Sequence, residues 1–196
     1  VDLLHAVESV VQTDIVTRED MSNGCRIAFE KADAILSDSA QDANGLNRDE
    51  IAAANLYTQR NMSVTDAGAS VNVCDPMNAA LRSQYPESIK PWWPYIVLLQ
   101  RALLKLPPAR VSKLYRRDAL PAEKRHLLDH RRTGADIWWH FTTMSTSAVP
   151  PHQSTAAKQV VFCVDGAGSQ ARDIQAYASV PQEAELLMPC GSAFAV

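Results

Sequence analysis

Through the first hundred residues the apolar positions follow the period of a helix. Leu3, Leu4, Val7, Val10 and Val11 recur at helical spacing, and the polar run Thr17, Arg18, Glu19 and Asp20 opens a second helix carrying Ile27, Ala28, Ile35 and Leu36. Asn47 followed three residues later by Glu50 has the form of a capping box, in which each side chain accepts from the other's backbone N–H. It opens a third helix through Ile51, Ala54 and Tyr57. Asp75 and Pro76 supply an N-cap and a first-position proline for a helix from Met77 to Arg82. The broadest stripe, Tyr95, Ile96, Leu98, Leu99, Ala102, Leu103 and Leu106, predicts a fifth helix from about Trp92, which Pro107 and Pro108 stop. Residues 38–47 and 68–72 read as surface loops.

Beyond the two prolines the pattern changes. Residues 111–115, 137–141, 160–164, 183–188 and 193–196 are short apolar or alternating runs bounded by Gly, Pro, Ser and Asp, which predict strands. A helix over residues 121–130 is expected to interrupt them. Helices first and strands afterwards predict an α+β fold, with an N-terminal helical half packed on a twisted, mostly antiparallel β-sheet core. With 196 residues, 46% of them hydrophobic, one domain is the default. We divide it into a helical half, 1–108, and a β-rich half, 109–196.

A formal net charge of −3 gives no global reason to expect a nucleic-acid partner. The basic character is local: Lys105 to Arg132 holds nine Lys or Arg against Asp118, Glu123 and Asp129. That run is either a solvated face or a patch that meets a phosphorylated ligand. Cys25, Cys74, Cys163 and Cys190 lie far apart without metal-ligand spacing, so no metal is expected; thiols are favoured over two disulfides. The apolar run 95–106 is too short to cross a bilayer, which takes about 20 residues, so no membrane span is expected. No secretory signal is visible. The start at Val1 implies a trimmed leader or an artificial boundary, and the compartment stays open between extracellular and cytoplasmic.

Candidate chemistry begins with Glu183 and Glu185. Alternation along a strand puts both carboxylates on one face with Leu187, while Ala184, Leu186 and Met188 share the other. Like charges side by side cost free energy unless cations or hydrogen bonds compensate. Upstream stand Leu114, Tyr115, Arg116 and Arg117, then the run from Trp138 through His140, Phe141, Thr142, Thr143, Met144, Ser145 and Thr146 to Ser147. In this order, an arginine on an early strand, a hydroxyl motif on a second and Glu-x-Glu on a third, the chain resembles the arginine-specific mono-ADP-ribosyltransferases. Residues 50–58, 81–83 and 90–92 look like the helical half of that family, and Arg172, Asp173 and Ile174 resemble its turn before the acidic strand. The resemblance covers roughly residues 47–196.

The resemblance implies an ADP-ribosyltransferase-like fold with an NAD⁺-binding cleft in the β-rich half, NAD⁺ as substrate, an arginine-bearing protein acceptor, and no metal. Arg116 would hold the dinucleotide phosphates, for which a planar guanidinium is suited, with Tyr115 beside it. Glu185 would stabilise the oxocarbenium-like ribose as nicotinamide leaves. Glu183 would receive the acceptor arginine, whose guanidinium must lose a proton as it attacks. The hydroxyl motif has two registers, Thr143-Met144-Ser145 or Ser145-Thr146-Ser147, and Ser145 belongs to both. Thr143, Ser145 and Thr146 would line the ribose site, and Tyr177, in the turn before Glu183, would contact the acceptor. Arg117 replaces a common glycine and either helps with the phosphates or faces solvent. Trp138 and Trp139 are expected in the core and His140 in a structural or exposed role. An NAD⁺ glycohydrolase on the same scaffold and a catalytically silent binding module are the competing readings.

Overall fold

Reciprocal capping boxes start two of the helices. After α1 (Leu3–Glu8), whose first turn is capped by Asp2, helix α2 (Arg18–Leu36) begins where Thr17 Oγ1 accepts from Asp20 N–H and the Asp20 carboxylate accepts from Thr17 N–H. Helix α3 (Arg48–Thr58) repeats this with Asn47 and Glu50. Each box satisfies donors the first helical turn would leave open, and losing such a cap costs about 1 kcal/mol. The computed structural model describes residues 2–11, 16–37, 39–60, 62–64, 70–119, 135–148, 159–166, 170–181 and 185–195.

Helix α3 is the centre of the helical unit: every residue from Glu50 to Thr58 is buried. It packs on α2 through Met21, Gly24, Cys25, Ala28 and Ala32, a face of small side chains at helical spacing. The approach is close at Gly24, where an added Cβ would lie 2.8 Å from Met62 Cε and 2.9 Å from Leu56 Cδ1. Strands β1 (Ser63–Val64) and β2 (Ser70–Val71) pair antiparallel, the second within the stretch read as a loop. Helix α4 (Cys74–Ser83) starts earlier than the sequence suggests, with Val73 at the N-cap. Asn72 Oδ1 accepts from Asp75 N–H and its amide donates to the Asp75 carboxylate, so Asp75 lies inside the helix rather than capping it. Helix α5 (Pro86–Ile89) and a 3₁₀ turn (Lys90–Trp92) lead into α6 (Trp93–Lys105). The α6 stripe is buried as its spacing predicts, and the buried Tyr95 hydroxyl donates to Ala53 O at 2.9 Å.

The remaining strands are β3 (Lys113–Ala119), β4 (Ala135–Trp138), β5 (Thr142–Met144), β6 (Gln159–Asp165), β7 (Arg172–Asp173), β8 (Leu186–Met188) and β9 (Ser192–Ala195). Among the described residues every pairing is antiparallel: β3 with β6, β4 with β9, and β8 between β5 and β7. The architecture is α+β, as the sequence predicts. Leu114, Met144, Ala171, Leu186 and Met188 form the core of the strands. Gly191 turns the chain from β8 into β9 at φ 77°, a left-handed conformation that favours glycine, and its N–H donates to Trp138 O at 2.8 Å.

Two compact units result: Val1–Pro107 with Ile174–Ala184, and Pro108–Asp173 with Glu185–Val196. The segment after β7 thus belongs to the helical unit. Several strands lie offset from their expected spans. Strand β4 ends at Trp138 rather than residue 141, and β5 is a strand the sequence did not separate from it. The expected helix at 121–130 lies outside the described residues. No helix among those described is long and apolar enough to cross a membrane.

Candidate active site

Three of the strands bring the sequence motifs together. Strand β3 carries Tyr115 and Arg116; alternation puts Arg116 on the face of the fully buried Leu114, and Tyr115 on the other. Tyr115 and Ser145 form an antiparallel bridge with hydrogen bonds of 2.8 and 2.9 Å. Strand β5 then pairs with β8 as Thr142 with Met188, Thr143 with Leu187 and Met144 with Leu186. The observed ladder ends at Met144 and Leu186, with Ser145 and Glu185 the next residues beyond it on the two chains.

Alternation also sorts the hydroxyls. Thr142 and Met144 are buried on one face of β5, whereas Thr143 and Ser145 share the opposite face and are half-buried. Thr146 and Ser147 are exposed. Ser145 Oγ accepts from Ser147 N–H at 3.1 Å, which orients the hydroxyl and leaves its hydrogen to donate elsewhere. Strand β5 includes Thr143 and ends before Ser147.

Glu185 is 9% exposed and immediately precedes Leu186, Leu187 and Met188, all buried. A carboxylate held there has little water and must be met by donors or cations. On the other side of β8, Arg172 stands opposite Leu187; burial lowers its guanidinium pKa, and Nη1 donates to Gln170 O at 2.6 Å and Ala171 O at 3.1 Å. Arg116 is half-buried. Glu183 and Gln182 lie outside the described residues, as does the Arg117 side chain.

Tyr177 differs from expectation. It is 3% exposed; its hydroxyl donates to the Asp42 carboxylate and accepts from Asn44 Nδ2 at 2.8 Å. The phenol's hydrogen and one of its lone pairs are thus engaged within the helical unit. The residues that hold it, Asp42, Asn44 and Asn55, and Thr58, which bonds the nearby Ser179, were not singled out from sequence. Their one signal is a group of polar residues, Asn55, Thr58 and Gln59, at the end of a helix otherwise rich in apolar positions.

Trp138 is half-buried against the strand core and stacks on His140 with ring centroids 6.5 Å apart, while Trp139 is 47% exposed rather than in the core. No disulfide joins the four cysteines: Cys25 is buried, Cys74 and Cys190 are half-buried and Cys163 is exposed. No group of three or more metal-ligating side chains occurs among the described residues.

No protein-family model matches the chain, and no curated protein matches it in sequence. Its similarity lies in three dimensions. ADP-ribosyltransferase HopU1 of Pseudomonas syringae pv. tomato DC3000 superposes with a TM-score of 0.68 over 92% of this chain and 90% of HopU1, at 17% identity. The eucaryotic mono-ADP-ribosyltransferase ART2.2 gives 0.61 over 99% and 75%, at 15% identity. The ADP-ribosyltransferase Vis of Vibrio splendidus, solved with agmatine, gives 0.51 over 89% and 77%, at 21% identity. With helices preceding antiparallel strands and the motif strands side by side, the chain has the ADP-ribosyltransferase fold.

Proposed function

We propose that this chain is a mono-ADP-ribosyltransferase that cleaves NAD⁺ and transfers ADP-ribose to an arginine side chain. The observation that carries the reading is the adjacency of β3, β5 and β8, with Tyr115 bridged to Ser145 and the β5–β8 register leading to Glu185. This supports the reading because β8 leads back to Glu185 beside the strand that carries Thr143 and continues to Ser145. The fold shared with ADP-ribosyltransferases supports it, and one such relative was solved with agmatine, a guanidino compound.

Arg116 binds the pyrophosphate, with Tyr115 beside it. Thr143, Ser145 and Thr146 line the nicotinamide ribose, and the Ser145 hydroxyl steadies Glu185. The bond between nicotinamide nitrogen and ribose carbon breaks with its electron pair leaving on nicotinamide, and Glu185 stabilises the positive charge that grows on the ribose. A guanidino nitrogen attacks that carbon and its proton passes to Glu183. Water in place of the guanidine yields free ADP-ribose.

The test incubates the purified chain with labelled NAD⁺ and agmatine, alongside Glu185→Ala and Glu183→Gln, following ADP-ribosyl-agmatine and free nicotinamide. The wild type is expected to form adduct, Glu185→Ala to lose both products, and Glu183→Gln to lose adduct while retaining nicotinamide release. Nicotinamide without adduct from the wild type would mark a glycohydrolase. Turnover unaffected by Glu185→Ala would sink the assignment.

A further inference from the structure

A groove of about 690 Å³ runs between α1 and α2, within the helical unit. Its walls are two apolar rows at helical spacing, Leu4, Val7 and Val11 on α1 and the turn after it, and Met21, Cys25 and Phe29 on α2. Val7, Met21 and Cys25 are buried and form its floor, whereas Leu4 is 57% exposed. Beside the apolar row of α2, the exposed residues Arg18, Ser22 and Arg26 recur at every fourth position, and all three also line an adjoining hollow with Glu19 and Asn23. The two arginine positions are about 12 Å apart along the helix axis. Arg26 bonds Glu30 at 2.6 Å and Asn23 at 3.0 Å on open surface, where water weakens an ion pair; Arg18 forms no ion pair among the described residues. Arg48 forks onto Asp33 and stands 4.2 Å from the centre of the Phe29 ring, which holds the aromatic wall at the end away from Arg18. Among the described residues lining the groove, Glu8 is the one carboxylate, and it is paired with His5 at 3.3 Å.

We propose that this groove docks an acidic amphipathic helix of a partner protein. From Arg18 to Phe29 the groove follows about three turns of α2. An apolar trough of that length between two helices receives the apolar face of a third, with anchors at i, i+3, i+4 and i+7, and leaves its polar face in water. Charge sets the partner's sign: three arginines against one carboxylate favour acids, and such complementarity selects between partners more than it adds affinity. Arg18 and Arg26 lie eight positions apart on one edge, so acids seven or eight positions apart along the partner's flank meet both. A bilayer surface would reach the arginines but not Val7 and Met21 on the buried floor, whereas a helix reaches both. The site belongs to the helical unit alone and is independent of the NAD⁺ chemistry proposed above.

The experiment titrates the full chain into a fluorescein-labelled helical peptide with leucines at i, i+3, i+4 and i+7 and glutamates eight positions apart on one flank, and reads anisotropy. A second peptide carries lysines in place of the glutamates. The acidic peptide is expected to bind at least about tenfold more tightly than the basic one, and Arg18→Glu or Arg26→Glu to weaken it about five- to tenfold while strengthening the basic peptide. Leu4→Ser should weaken the acidic peptide about fivefold through lost apolar burial. Leu104→Ser, at a leucine equally open on α6 and outside the groove, should leave it within about twofold. No binding of the acidic peptide, equal affinity for both peptides, or equal effects of Leu4→Ser and Leu104→Ser would overturn the proposal. So would sedimentation of the free chain as a dimer that Arg18→Glu dissociates, which would give the groove to a second copy of this chain.

Discussion

Tyr115 and Ser145 exchange both backbone hydrogen bonds, N–H to carbonyl, at 2.8 and 2.9 Å. This bridge joins the β3–β6 ladder to the three-stranded sheet of β5, β8 and β7. Under the proposed function, substitutions beside this bridge are expected to alter NAD⁺ turnover.

Arg116→Lys keeps the charge but replaces a planar fork with a point charge, which suits two phosphates less well. We expect the KM for NAD⁺ to rise on the order of tenfold with a smaller change in kcat, about 1.4 kcal/mol of binding. Arg117→Lys measured beside it should move KM by less than about threefold. Equal effects would remove Arg116 from its role.

The two hydroxyl registers separate in steady-state kinetics. Ser145 shares a strand face with Thr143, whereas Ser147 is exposed beyond the strand and meets Ser145 through its backbone N–H. Ser145→Ala is expected to lower kcat/KM for NAD⁺ on the order of tenfold or more, because a donor that steadies a carboxylate contributes roughly 1.5–3 kcal/mol. Ser147→Ala should stay within about twofold of wild type. The reverse ranking would favour the later register.

Glu50 is fully buried, and Lys105 Nζ lies 2.6 Å from its Oε2 while also donating to Gly45 O at 3.0 Å. Lys105→Met strands the carboxylate without its cation. Because Lys105 is one-third exposed, we expect a loss of about 2 kcal/mol in urea unfolding, below the roughly 3–5 kcal/mol of a fully buried pair. Glu50→Gln in the same chain should recover part of it, since a neutral amide tolerates burial better. No recovery would mean that Lys105 acts through packing alone.

Burial pushes the Cys25 thiol from 9.0 up to about 11 and raises Tyr95 well above its usual value. The folded chain therefore holds a proton that the unfolded chain releases near pH 9. Stability from Cys25 is complete below about pH 9 and is lost as pH rises towards 11, by roughly 2–3 kcal/mol. Urea midpoints measured from pH 8 to 11 should fall, and Cys25→Ala should flatten part of that fall. With iodoacetamide at neutral pH, the exposed Cys163 is expected to react before the buried Cys25; simultaneous labelling would show the native core opening on the assay's timescale.

The helices were legible in the sequence because their determinants are local. A capping box spans three residues, as at Asn47 and Glu50, and the α6 stripe repeats within single turns, so spacing alone predicts both position and buried face. The α+β class and the order of the motif residues were legible for the same reason. Tertiary structure decided the pairings. Whether Tyr115 bridges Ser145, where β4 stops and β5 begins, and that Asn72 rather than Asp75 serves the start of α4 all depend on backbone partners that nearby letters do not name. Tyr177 makes the point most sharply. Its hydroxyl donates to Asp42, 135 residues away, a partner that nothing near it in the sequence announces. A helix closes its hydrogen bonds within four residues, whereas a strand or an irregular segment must find its partners across the folded chain, and only the fold brings them there.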